Sequence, residues 1–435
     1  MEKLSRRSFL KAGAAAVAPL VLPSGVLARP GQPGANDKIV LGFIGVGGWG
    51  TGLMRQMKEV HPAAAICDVD TDHLASAATW FDEDVDQYGD YRRVLDRADI
   101  DAVVIATPDQ WHAIQAVHAM EAGKDVYVEK PLSRTIAEGQ AVVETAERCG
   151  AVLQMGTQGR SQPDPTGRSD VRFHQACNFI RNGGLGQVTR VECWHPGNPI
   201  GPDTPDEPPP SHLDWDMWLG PARWAPYNSA RCPGSFRFFM EYGGGVLRDF
   251  GAHVLSNALW FLDRDGDGPV RVSATGKRPP SGLYDAPLEL DVTWEFEDPD
   301  LTITWRQHGD FPSDHWGGAA LYHGTDRSLL VAGSADEAGA GVADEEVREY
   351  EPPPGGVNVF RSPGHHQNWF DCIKSRETPV MPAASAHRVT SLCILGNAAW
   401  QLGRPLEFDP VAQRAVGDEQ ANMLLTRPGR GPWHV

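Results

Sequence analysis

The sequence predicts an α/β domain built on a doubly wound parallel sheet, followed by an α+β domain with a large, mostly antiparallel sheet. From residue 38 to 157, short β-forming runs alternate with helical segments, which is typical of a parallel sheet covered by helices on both faces. From residue 270 to 331, strand-like runs follow one another with only turn residues between them. With 435 residues and 41% hydrophobic content, the chain can bury two such cores.

The elements of the first domain can be placed in chain order. Strands are predicted at 39–44, 63–67, 102–106, 126–128 and 151–155, and helices at about 51–59, from 72, at 110–122 and at 136–149. In an open sheet of this kind, ligands bind outside the carboxyl ends of the strands. Functional side chains are therefore expected in the loops that follow these strands.

A glycine-rich turn follows the first strand and opens the first helix. It matches G-x-G-x-x-G, with the residues Gly45, Gly47, Gly48, Trp49 and Gly50. Alone, such a turn is also typical of any tight connection between a strand and a helix. The next strand, however, ends at Asp68, eighteen residues past Gly50, where a ribose-binding carboxylate is expected. Strand, turn, helix, strand and acid in this order predict a Rossmann dinucleotide site.

The acidic residues after the second strand indicate which dinucleotide is bound. Asp68, Asp70 and Asp72 place three carboxylates where the 2′-phosphate of NADP would lie, and no Arg or Lys is close in sequence. A phosphate would be repelled there, whereas a ribose hydroxyl can donate to a carboxylate. The sequence therefore predicts NAD, with NADP less favoured.

Two later strands bring further polar residues to the same edge of the sheet. The run from Asp125 to Leu132 predicts a buried strand that delivers Glu129 and Lys130 at its carboxyl end and is stopped by a proline. The strand before it closes at Thr107 and Pro108, so the residues that follow, Asp109, Trp111 and His112, should also line the cofactor cleft. Of the residues at this edge, the following are predicted to contact the cofactor: Thr107, Pro108, Trp111, His112, Glu129 and Lys130.

A segment from 246 to 262 follows three glycines and is predicted to be one helix. Asp249 and His253 lie four residues apart, on one polar stripe that continues through Ser256 and Asn257. Asp249 could simply face the positive end of the helix dipole, and His253 could be a hydrogen-bonded core histidine. The alternative is that both residues face the cleft and take part in chemistry.

Together these motifs resemble the Gfo/Idh/MocA family of NAD(P)-dependent sugar and cyclitol oxidoreductases. The resemblance rests on the glycine turn, on Thr-Pro-Asp-Gln-Trp-His at 107–112, on Glu-Lys-Pro at 129–131 and on Asp-x-Gly-x-His at 249–253. The stretch 395–404 and the closing Pro-Trp-His resemble the bacterial-type C-terminal domain of exported members. The resemblance implies that Lys130, Asp249 and His253 form the catalytic group.

The chemistry of that family needs a proton acceptor and a group that stabilises oxygen. Hydride leaves a carbinol carbon only as its hydroxyl loses a proton. His253 could accept that proton, Asp249 could orient the substrate or the imidazole, and Lys130 could hold the substrate oxygen. Whether Lys130 or His253 is the base stays open at this point. Family members often carry an acid three residues after the histidine, where this chain has Ser256.

Three functions are compatible with these residues. The first is hydride transfer between a tightly bound nicotinamide cofactor and a hydroxyl of a sugar, glycoside or cyclitol. The second is a redox-neutral, NAD-dependent glycoside hydrolase, and the third is a nucleotide-retaining sugar-binding protein without turnover. A loop from 196 to 226, rich in Pro, Asp and Trp, could stack on sugar rings or could be clamped by its own tryptophans.

The first 28 residues predict a twin-arginine signal peptide. Arg6 and Arg7 precede Phe-Leu-Lys, a short apolar run and a Val-Leu-Ala end. Residues 29–37 then form a linker, 38–157 the NAD-binding Rossmann domain, and 158–435 the α+β domain. The protein is expected to be exported by the Tat machinery to the periplasm or another extracytoplasmic space. The signal also suits a protein that folds around its nucleotide before export.

Composition excludes several other partners and sites. A net charge of −18 argues against nucleic acid. Seven cysteines without C-x-x-C spacing predict no disulfide framework, and the histidines show no zinc-site spacing, so no metal is expected. A homo-oligomer, dimer or tetramer, is expected to form through the C-terminal sheet.

Overall fold

The computed structural model describes residues 38–82, 84–161, 172–308, 318–332, 341–342, 344–433 and 435. The predicted signal peptide and linker, residues 1–37, lie outside these ranges. Within them, none of the helices combines the length and the apolar character needed to cross a lipid bilayer. All seven cysteines are free, as predicted, and six of them are buried.

The first sheet has six parallel strands in the order β3-β2-β1-β4-β5-β6. They are β1 Leu41–Ile44, β2 Ala63–Cys67, β3 Asp86–Tyr88, β4 Ala102–Ile105, β5 Asp125–Val128 and β6 Leu153–Met155. This order is that of a doubly wound dinucleotide-binding sheet, whose crevice opens where β1 and β4 part. The predicted fold class is confirmed, although strand β3 was not anticipated.

In the part of the chain that the structure describes, five helices flank this sheet: α1 Gly48–Met57, α2 Thr71–Ala78, α3 Arg92–Leu95, α4 His112–Glu121 and α5 Ile136–Cys149. Local sequence explains where several of them begin and end. The Asp70 side chain accepts hydrogen bonds from the first backbone N–H groups of α2, and Thr135 and Glu138 form a capping box on α5. Gly150 closes α5 in the left-handed conformation, with φ of 60°.

The second sheet has nine strands in the order β13-β12-β11-β7-β10-β9-β8-β14-β15. They are β7 Val188–Trp194, β8 Arg271–Lys277, β9 Glu289–Phe296, β10 Leu301–Arg306, β11 Ala319–Gly324, β12 Ser328–Ala332, β13 Gly341–Val342, β14 Leu406–Asp409 and β15 Arg414–Ala415. Neighbours are antiparallel except β7 and β10, which run parallel. The mostly antiparallel sheet predicted for this part is confirmed.

Among the described residues of the second half there are eight helices: α6 Phe173–Arg181, α7 Trp215–Leu219, α8 Val246–Asp249, α9 Gly251–Phe261, α10 Glu345–Arg348, α11 His365–Ser375, α12 Ala383–Leu402 and α13 Glu419–Leu425. Helix α12 packs between α5 of the first domain and β8 of the second sheet. Trp369 and Phe370 of α11 join the core formed by β1. These C-terminal helices therefore pack on the first domain.

The predicted helix at 246–262 is two helices rather than one. It breaks at Phe250, where the ladder tightens: the His253 amide donates to the Phe250 carbonyl oxygen at 3.0 Å, three residues back. Asp249 therefore ends α8, and His253 lies in the first turn of α9. The prediction of a continuous helix was wrong, yet the short break keeps both side chains on the cleft.

Two tryptophans of the long loop after β7 serve packing. The rings of Trp215 and Trp218 stack at 4.8 Å between centroids, and the Trp215 indole donates to the Ala225 carbonyl at 2.9 Å. Both belong to a separate apolar cluster with Phe236, Phe239 and other aromatic residues. Of the two roles considered for this loop, these residues take the clamping role, whereas Trp224 is 67% exposed.

Candidate active site

A cleft of about 640 Å³ lies at the carboxyl ends of β1, β4 and β5 and is closed on the other side by the second domain. Nearly all of the residues predicted from the sequence line it: Gly45, Gly47, Gly48, Trp49, Asp68, Thr107, Pro108, Trp111, His112, Glu129, Lys130, Asp249 and His253. Gly50 stands behind this lining. The structure thus brings the predicted cofactor and catalytic residues into one cavity.

Two glycines allow the turn after β1 to pack as tightly as it does. Gly45 has φ of +83°, and a Cβ there would lie 2.7 Å from the backbone of Ala106 and Thr107. A Cβ on Gly50 would lie 1.9 Å from the Gly45 carbonyl oxygen. Only glycine fits either position, because the neighbouring atoms are backbone and cannot move aside.

The start of helix α1 is open for an anionic ligand. Gly47 is its N-cap, no side chain caps the helix, and Gly47, Gly48 and Trp49 line the cleft. The first N–H groups of a helix carry partial positive charge and have no partner within the helix. The tight turn and the uncapped helix fit the pyrophosphate of a dinucleotide.

The carboxylate of Asp68 is fixed by the backbone. Its Oδ2 accepts from the Val46 amide at 2.9 Å and its Oδ1 from the Asp70 amide at 3.0 Å. His73 Nδ1 lies 3.5 Å from Oδ2, and this neighbour raises the pKa of His73 despite the opposing effect of burial. His73 was not predicted as a neighbour of Asp68, because only Arg and Lys were considered as cations at this position.

A segment of the second domain is hydrogen-bonded to the loop after β2. The Thr71 amide donates to the His212 carbonyl at 2.9 Å, the Asp214 amide donates to the Val69 carbonyl at 3.0 Å, and His212 Nδ1 lies 3.0 Å from Asp70 Oδ1. The side-chain atoms of Asp70, Asp72 and His212 that could coordinate a metal ion, two carboxylate oxygens and an imidazole nitrogen, lie within 4.8 Å of one another. Residues 210–214, called the strap below, therefore cross the mouth of the cofactor half of the cleft.

His112 ties the ends of β4 and β5 together. Its Nδ1 lies 2.7 Å from the Pro131 carbonyl oxygen and its Nε2 lies 2.8 Å from that of Thr107. Burial lowers the pKa of His112 to about 4, although both carbonyls favour the charged ring. A neutral ring has one N–H, so it donates to only one of the two.

Trp111 joins the two domains. Its indole nitrogen donates to the carbonyl oxygens of Met217 and Trp218, both at 3.1 Å, and its ring packs so closely on Gly220 that a Cβ there would be 2.1 Å away. Trp111 also lines the cleft but is only 3% exposed. Its contacts account for its burial without any cofactor.

Lys130 and Asp249 meet in the centre of the cleft. Lys130 Nζ donates to Asp249 Oδ1, and Arg237 Nε lies 3.2 Å from Asp249 Oδ2. Burial by itself would raise the pKa of Asp249, but Lys130 and Arg237 lower it to about 2. One carboxylate is thus shared by two cations, one from each domain, and it is ionised throughout the neutral range.

His253 faces the same space from α9. Its side chain lines the cleft, and the residue is 9% exposed. Ser256, three residues on, is fully buried and accepts a hydrogen bond from Arg160 Nε at 3.0 Å. Ser256, at the position where an acid was considered above, is therefore part of a buried hydrogen-bond contact and does not line the cleft.

Two arginines of this region, Arg237 and Arg248, received no role from the sequence, whereas Asp109 was predicted to line the cleft and lies in its wall. Burial raises the pKa of Asp109 to about 7, although Arg248, whose Nη2 is 4.0 Å from Asp109 Oδ2, opposes the rise. Arg237 lies in a 3₁₀ turn, Ser235–Phe238, and Arg248 lies in the short helix α8. The approach of Arg237 to Asp249 and of Arg248 to Asp109 depends on the fold. No spacing in the sequence could have found them.

Comparison with protein families agrees with this architecture. Residues 39–157 match the Gfo/Idh/MocA model described as an oxidoreductase family with an NAD-binding Rossmann fold. Residues 201–299 and 357–435 match the C-terminal alpha/beta domain of the same family, and residues 3–23 match a twin-arginine translocation signal sequence. The NAD-binding Rossmann domain, the oxidoreductase family and the twin-arginine export signal, all predicted above, are confirmed by these matches.

Two curated relatives carry the names of glycoside hydrolases. A glycosyl hydrolase family 109 protein of Shewanella baltica is 36% identical over 223 residues, which is 44% of this chain and 46% of the relative. An alpha-N-acetylgalactosaminidase of Shewanella oneidensis is 33% identical over 222 residues, with the same coverage. The chain therefore spans less than half the length of the curated relatives it matches.

A solved structure shares the fold over nearly its whole length. The WlbA dehydrogenase of Bordetella pertussis, crystallised with NADH and UDP-GlcNAcA, superposes with a TM-score of 0.60 at 17% identity, covering 86% of this chain and 99% of that one. At this identity the likeness concerns the fold alone. From the two matched domains and the signal, the chain belongs to the Gfo/Idh/MocA oxidoreductase family and is an exported member of it.

Proposed function

We propose that the protein binds NAD tightly and oxidises a hydroxyl-bearing carbon of a sugar, glycoside or cyclitol. The observation that carries this proposal is the pairing of Lys130 with Asp249, 119 residues apart and from different domains, inside the dinucleotide cleft. His253 lines the same cleft one turn beyond Asp249. A cation, a carboxylate and an imidazole are thereby presented together to a polar substrate.

The cofactor half of the cleft fits NAD. The turn at Gly45 and Gly50 and the open start of α1 would hold the pyrophosphate, and Asp68 would accept from a ribose hydroxyl. Thr107, Pro108 and Glu129 line the floor towards the substrate half. When bound, NAD supplies the hydride acceptor for the reaction.

The substrate half assigns different roles to three side chains. Lys130 donates to Asp249, so it is held as a hydrogen-bond donor that can also contact the substrate oxygen and offset its developing negative charge. Asp249 fixes Lys130 and can accept from a second hydroxyl. That leaves His253 to take the hydroxyl proton, because a neutral imidazole accepts protons near neutral pH.

The strap supports tight retention of the cofactor. Its hydrogen bonds to Val69 and Thr71 close the adenosine side of the cleft with backbone contacts, and His212 adds a side-chain contact. An exported enzyme works where free NAD is not supplied, so release would end its activity. Retention requires that the hydride return to the same sugar or pass to a second substrate.

The first of these routes is a second candidate function, redox-neutral glycoside cleavage. The names of the curated relatives, glycosyl hydrolase family 109 protein and alpha-N-acetylgalactosaminidase, favour it specifically. Oxidation of a ring carbon makes the adjacent C–H acidic, and loss of that proton can expel the glycosidic oxygen. Water then adds, and the ring carbon is reduced again, so the net reaction is hydrolysis.

One experiment separates the two candidates. Purified holoenzyme is incubated with a panel of sugars, cyclitols and glycosides without added NAD, while bound-cofactor absorbance and product mass are followed. A product two mass units lighter than the substrate, with lasting reduction of the cofactor, indicates a dehydrogenase. Cleaved glycoside without net reduction indicates the hydrolase. Binding without either product in an active-site-intact protein would contradict both.

We also propose that the chain forms a homo-oligomer through the outer face of its nine-stranded sheet. On β9, Leu290, Val292 and Trp294 point into the core, so the alternate residues are turned outward. Light scattering on the purified protein tests this point. A monomer at micromolar concentration would refute it.

A further inference from the structure

A second cavity lies on the opposite side of helix α8 from the catalytic cleft. Its volume is about 170 Å³, and it shares no lining residue with the cleft. Its walls come from the start of α5, the second half of α12 and the C-terminal helix α13. It therefore lies at the junction of the two domains and the C-terminal segment.

The cavity carries a concentration of positive charge. Five arginines line it, against the two carboxylates Glu241 and Asp285: Arg134, Arg223, Arg248, Arg278 and Arg427. The formal excess is three positive charges in a chain whose net charge is −18. Two acids outside the lining, Glu138 beside Arg134 and Asp109 beside Arg248, reduce this excess without entering the cavity.

Glu241 is the hub of the carboxylate contacts. It lies 3.3 Å from Arg134 Nη1, 3.0 Å from Arg223 Nε and 2.7 Å from Arg427 Nη1. One carboxylate thus offsets three guanidinium groups. Burial lowers the pKa of Arg427, and Arg134 and Arg223 lower it further, which reflects repulsion among the cations.

The floor of the cavity is rigid and incompletely satisfied. Arg134 and Arg248 are 5% and 3% exposed, and their terminal nitrogens are held by Glu138 and by the Ser133 carbonyl. Among the residues that the structure describes, the Nε of each has no hydrogen-bond partner. Two buried N–H donors therefore lack a partner where positive charge is concentrated.

The mouth of the cavity is accessible. The Arg223 side chain is 77% exposed, and Arg278 packs over the ring of Trp400 at 4.7 Å. None of the ion pairs within the described ranges involves Arg278, so its guanidinium charge is not offset by a carboxylate there. A ligand entering past Arg223 would meet progressively more buried guanidinium groups.

We propose that this cavity binds a tetrahedral oxyanion, a phosphate or a sulfate, either free or as the ester group of a carbohydrate. Guanidinium groups match such anions in charge and in the geometry of paired N–H donors. The cavity volume of about 170 Å³ suffices for one such anion and a few water molecules, since one water molecule occupies about 30 Å³. Asn397 Oδ1, buried and without a partner in the described structure, could accept from a hydrogen phosphate or a sugar hydroxyl.

Binding is tested on NAD-saturated holoprotein, so that the pyrophosphate site is filled. Calorimetry and thermal unfolding are measured with sodium phosphate and sodium sulfate, each against chloride at equal ionic strength. One oxyanion per chain should bind and raise Tm, since a ligand of the folded state stabilises it. Equal Tm with oxyanion and chloride, and no binding heat, would overturn the proposal.

The arginines are tested by paired substitutions. Arg278→Gln should weaken phosphate binding about tenfold, because one charge-assisted contact is lost. Arg271→Gln is the matched control: it lies at the other end of β8, pairs with Glu407 and does not line the cavity. Should Arg278→Gln fail to fold, Arg223→Gln at the exposed mouth replaces it. Wild-type affinity in the folded cavity variant would refute the site.

A last comparison distinguishes the two sources of the anion. Inorganic phosphate and a hexose phosphate monoester are titrated under the same conditions. Tighter binding of the monoester indicates a carbohydrate ester, and equal or weaker binding indicates the free anion. Either result supports an oxyanion site, whereas binding of neither contradicts it.

Discussion

The two halves of the cleft are held together by different forces. The cofactor half is shaped by backbone packing: Gly45 and Gly50 permit atoms to approach where any side chain would collide. The substrate half is shaped by charge, with Asp249 between Lys130 and Arg237. The first half should therefore fail through steric change and lose its cofactor, while the second should tolerate isosteric change and lose turnover.

The largest effect is expected from Gly50→Ala. The new methyl group would lie 1.9 Å from the Gly45 carbonyl oxygen, so the turn must open and the pyrophosphate site is lost. We expect essentially no NAD in the purified variant, measured by absorbance after denaturation. Gly52→Ala, within the same helix, meets no atom closer than 3.9 Å and serves as the control. A Gly50→Ala protein with full cofactor content would contradict the proposal that close backbone packing at this turn is needed for NAD binding.

The two acids of the substrate half should affect stability in opposite directions as pH changes. Asp109 has a pKa raised from 3.8 to about 7, so the folded state holds its proton and loses stability as pH rises from 4 to 7. At 1.36 kcal/mol per pKa unit the loss is up to about 4 kcal/mol. Asp109→Asn should flatten this part of the stability profile, as measured by urea unfolding between pH 4 and 8.

Asp249 provides the contrast. Its pKa is lowered from 3.8 to about 2, so its contribution is present above pH 4 and is lost as pH falls towards 2. The contribution is about 2 kcal/mol by the same conversion. Asp249→Asn should therefore lower stability at pH 7 and remove the acid-side slope. Equal profiles of stability against pH for the two variants would show that the cleft does not shift the pKa values of Asp109 and Asp249 in opposite directions.

A smaller effect is expected from the strap. His212→Ala removes the contact to Asp70 Oδ1 at 3.0 Å but leaves the backbone hydrogen bonds of the strap in place. We expect NAD to dissociate several-fold faster from this variant. The rate is measured from the cofactor that appears outside the protein during dialysis. His308→Ala is a matched control, because that histidine is equally exposed and pairs with Asp291 on the sheet. Equal release from both variants would remove the strap from the explanation of retention.

The same contrast explains what could be predicted from the sequence. Periodicity and the glycine spacing are local, so the parallel sheet, the turn at Gly45 and Asp68 could be found without coordinates. Lys130, Asp249 and His253 could be found through short motifs. Arg237 could not, because its contact with Asp249 spans a glycine loop and no rule of spacing relates the two.

Other features depend on contacts between distant segments and could not be predicted from local sequence. The helix breaks at Phe250 although its apolar pattern is continuous, and the backbone there has a hydrogen bond between residues three apart. The tryptophans of the long loop could stack on sugars or on each other, and only packing in three dimensions decided for Trp215 and Trp218. The arginine-lined cavity likewise draws its residues from distant segments.

We propose that Lys130 acts on the substrate and that the cofactor half of the cleft does not need this lysine to bind NAD. The most direct measurement is single-turnover reduction of bound NAD in wild-type holoenzyme and Lys130→Met, using an active substrate from the panel. The exposed Lys277→Met, on β8, is the control. We expect unchanged NAD content and a reduction rate at least about a hundredfold slower in Lys130→Met, as for the loss of a transition-state donor. An unchanged rate with full cofactor content would contradict the claim.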